Sequence, residues 1–321
     1  MERDKNIDNL RGLAMLAMIT IHVTVLYWND KTAHFLWDSL QWAVPVFLFC
    51  SAYLFFSRPF DFTFSSIKKY FVKRMARLFI PYYVFLGVYT IFTYFFDKQK
   101  FNLSYFVGNF FAYKSLDLNW LVLIFFELIF IFPLIALFKR KSKFVYYLFC
   151  LASLASSIYF IFVRPQQYRF IMWLPWSLII FFTVYFIENQ KKIKKLFFTG
   201  LLFMIIFAAC YLLEIKLGHP LNHFSNKYPP NLYHLSYGIF SIIILYFLSF
   251  SNLLKPVQSI LNFFSINSYE IFFIHNLVIF LFNWLHIKYG NWLVFFTIVI
   301  GLSVVLQIML NKIRRYYFVK K

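Results

Sequence analysis

Long runs of apolar residues alternate with short charged connections along this chain. Ten of the runs are about 20 residues long, the length with which an α-helix crosses about 30 Å of hydrocarbon. The pattern predicts an all-α polytopic membrane protein with about ten transmembrane helices, forming one membrane domain over 1–321. The ninth run is long, which predicts a tilted helix or a short interfacial turn at its start. The predicted helices cover 10–28, 38–57, 76–96, 119–138, 144–163, 170–188, 196–217, 232–251, 259–284 and 290–311.

Composition agrees with a membrane protein. Of 321 residues, 62% are hydrophobic and 14% are charged, whereas about half of an average soluble domain is apolar. The charged N-terminus and the first apolar run resemble a signal peptide, but no small-residue cleavage site follows, so we expect a retained helix. Cys50, Cys150 and Cys210 lie in separate apolar runs, which favours small buried side chains over a disulfide or a metal site.

The basic residues fall mainly in alternate connections. The net charge is +20, and 23 of the 32 Lys and Arg residues lie in connections on the same side as the N-terminus. The positive-inside rule then predicts that both termini and the connections at 58–75, 139–143 and 189–195 face the cytoplasm. The longer connections 97–118 and 218–231 face outward. This distribution explains the charge without a nucleic-acid partner.

Ionisable side chains within membrane segments are costly, so each is a functional candidate. The predicted helices hold few of them. They are Arg11, His22, Glu127, Glu270 and His275, with Arg74 and Arg77 at a helix mouth.

Arg11 and His22 stand eleven residues apart, which places them on nearly the same helix face, about 16 Å apart along the axis. A cation at the inner boundary and an imidazole past the middle suit an elongated anionic ligand with a reactive tip. The alternative is a snorkelling arginine and a structural histidine. The spacing alone does not decide between these two interpretations.

The segment KKYFVKRMARLFIPYY covers 68–83. Arg74 and Arg77 are three residues apart and share a helix face, with Lys73 beside them. Guanidinium groups pair with phosphate oxygens, so the segment is a candidate phosphate site. An ordinary positive-inside anchor is the alternative.

The segment SINSYEIFFIH covers 265–275. Ser268 and His275 are seven residues apart and fall on one face, whereas Glu270 lies about 140° from His275 around the helix. We therefore expect one of these two to line a site and the other to tie the helix to a neighbour, with His275 the stronger site candidate. Tyr269 is a further lining candidate. A structural histidine remains the alternative.

Glu127 lies in the middle of a predicted span, so it must pair or be protonated. A partner on another helix is favoured over a catalytic role. No set of His, Cys, Asp or Glu has metal-ligand spacing, and neither a glycine-rich nucleotide loop nor G-x-S-x-G is present.

Six segments occur in an order that resembles the acyltransferase-3 family of membrane acyltransferases, which O-acylate bacterial surface glycans and related molecules. They are IDNLRGLAMLAMITIH (7–22), PVFLFCSAYLFF (45–56), VKRMARLFIPY (72–82), NWLVLIFFELIFIFPL (119–134), YPPNLYHL (228–235) and SYEIFFIH (268–275). Ala52 stands where the family usually has Gly, so a slightly different bend is expected in the second helix. Many members carry a fused SGNH domain; this chain is expected to be a stand-alone member.

The resemblance implies a donor, a site and a location. The acyl donor would be acetyl-CoA or another short acyl-CoA, which acts as co-substrate, and no cofactor would be permanently bound. Arg11, Arg74 and Arg77 would hold the CoA phosphates, and the thioester would reach His22. His22 would act as general base or accept the acyl group itself. The protein would be a multi-pass protein of the bacterial cytoplasmic (inner) membrane, in contact with membrane lipid.

The acceptor implied by the resemblance is a hydroxyl of a surface or lipid-linked glycan. A glycan exporter or flippase of the same architecture is the alternative function, although the internal repeats common in transporters are not apparent. A non-catalytic scaffold in a glycan-assembly complex is a third. The sequence does not specify the acceptor, the acyl chain or the oligomeric state, so a homo-oligomer stays open.

Overall fold

The computed structural model describes residues 4–100, 102–113, 116, 118–287 and 290–318. These residues form thirteen α-helices and four short 3₁₀ turns, and no β-strand occurs among them. The α-helices are α1 (Lys5–Thr24), α2 (Lys31–Ser39), α3 (Ala43–Phe56), α4 (Phe64–Phe96), α5 (Leu103–Phe110), α6 (Asn119–Lys141), α7 (Lys143–Phe162), α8 (Trp173–Asn189), α9 (Ile193–Lys216), α10 (Leu232–Ser249), α11 (Gln258–Ile266), α12 (Ser268–Trp284) and α13 (Trp292–Phe318).

The prediction of an all-α polytopic membrane protein is confirmed. Nine segments of the described chain are long and apolar enough to cross a membrane, and a bent pair gives a tenth. That pair is Asn252–Ile266 and Ser268–Trp284, which meet at 84°. The ninth apolar run is therefore two helices rather than one. The bend falls at Asn267, whose amide donates to Phe263 O and whose Oδ1 accepts from Gln307 on α13.

Two other predicted spans differ in detail. The run predicted as 38–57 contains the end of α2 and the whole of α3, and α3 continues without a break through the buried Ala52. The run predicted as 76–96 belongs to a 33-residue helix. That helix begins at Phe64 because Thr63 caps it, accepting a hydrogen bond from Ser66 N. Most of the connection predicted as 58–75 is therefore helical.

Contacts between distant segments place both ends of the chain at the same end of the bundle. The Tyr53 hydroxyl lies 2.9 Å from Asp4 Oδ2 and 3.0 Å from Gln190 Oε1. Arg314, near the C-terminus, pairs with Glu270. We call this end the basic end, because most of the Lys and Arg residues that the structure describes lie in its connections and in the adjoining helix ends.

The remaining connections meet at the opposite end. There Lys227 Nζ donates to Gln41 Oε1 over 2.7 Å, and Arg164 donates to Asn226. The connections thus alternate between the two ends, as the charge pattern predicts. Some basic residues behind that pattern lie outside the described residues: Arg3, Lys114, Lys288, Lys320 and Lys321.

Helix α1 lies at the centre of the bundle, with α2, α3, α10, α11, α12 and α13 packed around it. Leu10, Met15 and Ile19 on α1 are fully buried. Gly12 allows the backbones of α1 and α11 to meet, because a Cβ at this position would stand 2.4 Å from Leu261 O. The segment that carries Arg11 and His22 is therefore surrounded by other helices rather than by lipid.

Candidate functional site

A cavity of about 600 Å³ opens at the basic end between α1, α3, α4, α6, α11 and α12. Its walls are apolar in depth and strongly basic at the mouth. They are formed by Arg11, Phe47, Ser51, Leu54, Arg58, Lys73, Arg74, Arg77, Leu78, Pro81, Leu121, Phe125, Ile129, Ile266, Asn267, Ser268, Tyr269, Glu270 and Phe272.

The charges around this cavity are suited to an anion. Its lining holds the basic side chains Arg11, Arg58, Lys73, Arg74 and Arg77. Clustered guanidinium groups bind phosphate oxygens through paired hydrogen bonds. The cavity therefore offers a polyanionic group several basic partners at once.

The acidic side chain in the lining is already engaged. Glu270 Oε1 lies 2.5 Å from Arg314 Nη1, and Gln307 Nε2 donates to Glu270 Oε2 over 2.7 Å. Both partners belong to α13, so Glu270 ties α12 to that helix while it lines the cavity. Its negative charge is thereby neutralised by Arg314.

Six predicted site residues come together in this lining, although they belong to three helices. They are Arg11, Arg74, Arg77, Ser268, Tyr269 and Glu270. Arg58 was not among the predicted site residues, because in the sequence it is one more basic residue following an apolar run. Arg58 precedes α4, and α4 carries Arg74 to the same cavity wall.

Two histidines form a pair deeper in the bundle. His22 Nδ1 lies 2.7 Å from His275 Nε2, and the two rings stack with centroids 5.0 Å apart. His275 Nδ1 lies 2.8 Å from the carbonyl oxygen of Ile271. His275 is fully buried, whereas His22 keeps part of its surface accessible. No pattern in the sequence indicates that α1 and α12 bring these side chains together.

The hydrogen bonds of the pair determine where its protons lie. A carbonyl oxygen can only accept, so His275 Nδ1 carries the hydrogen and His275 Nε2 has the lone pair. His22 must then donate from Nδ1. In the neutral pair, His22 Nε2 is therefore left as the basic nitrogen.

Phe272 connects the cavity with the pair. It lines the cavity, and its ring centroid lies 6.0 Å from that of His22 and 5.7 Å from that of His275. Neither histidine belongs to the cavity lining itself. His275 therefore lies about two helical turns beyond Ser268, past the inner end of the cavity.

Glu127 lies away from this site. It is absent from the cavity lining, and its Oε2 is buried without a hydrogen-bond partner among the described residues. The predicted partner on another helix is therefore not observed. The described residues also contain no group of three or more His, Cys, Asp or Glu side chains arranged to hold a metal ion.

Comparison with known proteins places nearly the whole chain in one family. The model of the acyltransferase-3 family, described as an acyltransferase domain, matches residues 4–312. No curated protein and no solved structure matches the chain.

Proposed function

Because the chain belongs to the acyltransferase-3 family and is a membrane acyltransferase, we propose that it uses acyl-CoA to acylate a glycan. The acyl group, acetyl in the simplest case, moves from acyl-CoA at the basic end to a hydroxyl of a surface or lipid-linked glycan. The membrane is the bacterial cytoplasmic membrane, with the basic end toward the cytoplasm.

The observation that carries this proposal is a basic cavity that leads to the histidine pair. CoA is an elongated molecule with phosphates at one end and a thioester at the other. Arg11, Arg58, Arg74 and Arg77 line the mouth, where they can hold the phosphates. The Tyr269 hydroxyl lines the same cavity and is buried without a hydrogen-bond partner among the described residues, so it is available to the ligand.

The acyl-bearing end of the ligand extends along α1. Arg11 and His22 are about 16 Å apart along the helix axis. If Arg11 holds a phosphate of CoA, the extended part of CoA that carries the thioester can span the distance to His22. Phe272 stands between the cavity and the histidines. A rotation of this ring would open the last part of the route.

His22 Nε2 supplies the base in direct transfer. It takes the proton of the acceptor hydroxyl while the hydroxyl oxygen attacks the thioester carbonyl carbon. The C–S bond then breaks, and the CoA thiolate leaves with the proton from His22. In the two-step route, Nε2 attacks the carbonyl carbon and the C–S bond breaks, which releases the CoA thiolate. The acceptor hydroxyl oxygen then attacks the acyl carbon, the N–C bond breaks, and the freed Nε2 takes the hydroxyl proton and passes it to the thiolate. Both routes need the same nitrogen unprotonated.

His275 acts as a positioning residue. Its Nε2 accepts from His22 Nδ1, which directs His22 Nε2 away from the pair. The same hydrogen bond stabilises the imidazolium that forms when His22 takes a proton, because a charged donor makes a stronger bond. Ile271 O fixes His275 in the tautomer that this role requires.

Labelled donor tests the proposal directly. The purified chain in lipid nanodiscs is supplied with acetyl-CoA labelled in the acetyl group and with glycan extracted from the same cells. We expect free CoA thiol to accumulate and the label to appear in the glycan fraction. A parallel reaction with succinyl-CoA compares the acyl groups. Label that stays on both CoA esters would contradict the proposal and favour an exporter or a scaffold.

A further inference from the structure

A second cluster of polar side chains is buried at the opposite end of the bundle. Both ring nitrogens of His234, Nδ1 of His223 and Nε1 of Trp176 have no hydrogen-bond partner among the described residues. His234 and Trp176 are fully buried, and His223 is 5% exposed. A buried polar atom without a partner destabilises the fold, so native proteins normally avoid it.

These unpartnered atoms belong to one place in the fold. The centroid of the His234 ring lies 5.6 Å from that of Trp176 and 5.8 Å from that of His223. We propose that His223, His234 and Trp176 form a subsite that binds the hydroxyl groups of a neutral sugar, the acyl acceptor. This inference rests on the proposed function, since it assigns the acceptor side of the same transfer.

The walls around the cluster suit a sugar ring. Trp120 stacks on Trp176 with centroids 6.5 Å apart, and Tyr228 meets Trp120 edge-on at 5.0 Å. Tyr237 stacks on His223 at 4.1 Å. Indole and phenol rings pack against apolar C–H faces while their polar edges hydrogen-bond. Polar atoms that can bind hydroxyl groups and aromatic rings that can pack against a sugar therefore lie side by side in this cluster.

The subsite adjoins a cavity at the outer surface and belongs partly to a helix that packs on α1. His223 also lines an outer cavity of about 300 Å³, together with Asp38 and Tyr237. Helix α10, which carries His234, packs directly against α1, which carries His22. An acceptor that enters from the outer cavity would thus meet His22 from the side opposite to acyl-CoA.

A neutral acceptor fits the protonation of His223. Burial, with a smaller effect of the Lys227 ammonium, lowers the pKa of His223 to about 3. A neutral imidazole has one N–H donor and one acceptor nitrogen. A hydroxyl can serve both, whereas a phosphate or a carboxylate can only accept. The chemistry of the ring therefore favours a polyol over an anion.

The connection that carries His223 is held firmly in place. His223 N donates to Asp38 Oδ1 over 2.7 Å. Asn231 donates to the fully buried Glu214 over 2.8 Å and to Asn226 over 2.7 Å. A subsite needs such fixed surroundings, because a mobile loop would have to be ordered when the ligand binds.

The test uses soluble acceptors with the purified chain in nanodiscs and labelled acetyl-CoA. The neutral probes are the methyl glycosides of glucose, galactose, mannose and N-acetylglucosamine, and the anionic probe is methyl glucuronide. We expect acetyl transfer to a neutral glycoside. His234→Leu should raise the KM for that glycoside about tenfold and leave the KM for acetyl-CoA unchanged. His234→Gln, which keeps a donor and an acceptor, should recover part of the loss.

Trp176→Phe, the second variant, removes the indole N–H. It should also raise the KM for the neutral glycoside. Trp173→Phe is its matched control on the same helix and should leave both KM values unchanged. An unchanged glycoside KM in both His234→Leu and Trp176→Phe, or a preference for the glucuronide, would overturn the inference, as would transfer to none of the glycosides. Failure of the wild-type chain to release CoA with any acceptor, water included, would instead overturn the proposed function.

Discussion

At the scale of single residues, the site separates two tasks. In the proposed function, charged side chains at the mouth of the cavity provide binding, and the histidine pair provides chemistry. His22 is connected to both tasks, because its helix also carries Arg11 and its Nδ1 is held by a hydrogen bond to His275. Substitutions at these positions should therefore change different kinetic constants.

His22→Gln should abolish transfer while acyl-CoA still binds. Glutamine keeps a hydrogen-bonding side chain but takes no proton near neutral pH. Loss of a positioned base lowers turnover by about 10²–10⁴-fold. Turnover of labelled acetyl-CoA and binding of CoA, measured on the same preparation, check this. A Gln variant with near-native turnover would make His22 structural.

His275→Leu should lower kcat and leave the KM for acyl-CoA unchanged. Without the acceptor nitrogen, His22 can rotate and its imidazolium loses a charge-assisted hydrogen bond. His275→Asn, which offers an acceptor oxygen, should recover part of the rate. Steady-state kinetics with a pH profile distinguish the two variants. A profile identical to that of the wild-type chain in both would argue against the positioning role.

Arg58→Gln should raise the KM for acyl-CoA about tenfold, because each lost charge-assisted hydrogen bond is worth about 1.5–3 kcal/mol. Arg140→Gln is the matched control. Arg140 lies at the same end of the bundle, over the Phe62 ring, and is not in the cavity lining. Equal effects of the two substitutions on KM would indicate that Arg58 only anchors the protein at the membrane surface.

At the scale of helices, function depends on how α11 is placed. This short helix bends away from α12 and packs on α1, where Ser265 donates to Asp8 and Gln258 donates to Asn9. Its end supplies Ile266 to the cavity lining. The contact between α1 and α11 therefore shapes the cavity that we propose as the binding site of the acyl donor.

Gly12→Ala should weaken this contact. The new Cβ would stand 2.4 Å from Leu261 O, so one helix has to shift, at a cost of about 1–3 kcal/mol. We expect a lower Tm and a higher KM for acyl-CoA. Gly87→Ala is the matched control on α4, where nothing lies within 4 Å of the added atom and alanine favours the helix. A Gly12→Ala protein as stable as the Gly87→Ala protein would contradict the close packing.

At the scale of the whole molecule, the two ends of the bundle differ in charge and in chemistry. The basic end presents the cationic cavity, and the opposite end presents aromatic and imidazole groups around His234. The histidine pair stands between them. In the proposed function, this arrangement brings a charged donor and a neutral acceptor to His22 from opposite sides of the membrane.

Cysteine labelling tests the orientation. In a background without Cys50, Cys150 and Cys210, we expect Lys141→Cys to be protected from an impermeant maleimide in intact cells, and Lys98→Cys to react. Both positions are exposed, so burial does not explain a difference. Efficient labelling at position 141 would reverse the orientation and, with it, the side from which acyl-CoA enters.

The sequence by itself determined the properties that each helix has alone. Hydropathy and the distribution of Lys and Arg identified the spans and their alternation, because every helix faces the same bilayer and the same charge asymmetry. Helical spacing also predicted that Glu270 and His275 lie on different faces of their helix. The ordered segments that contain Arg11 and His22 indicated the family that the comparison then established.

Only the tertiary structure decided which helices are neighbours. His22 and His275 are 253 residues apart, and no local pattern links them. The bend at Asn267, the position of Phe272 and the cluster around His234 likewise depend on packing. The physical reason is that lipid tails are as apolar as the helix surfaces, so hydrophobicity does not select partners within the bilayer. Shape and buried hydrogen bonds make that selection, and both exist only once the helices have met.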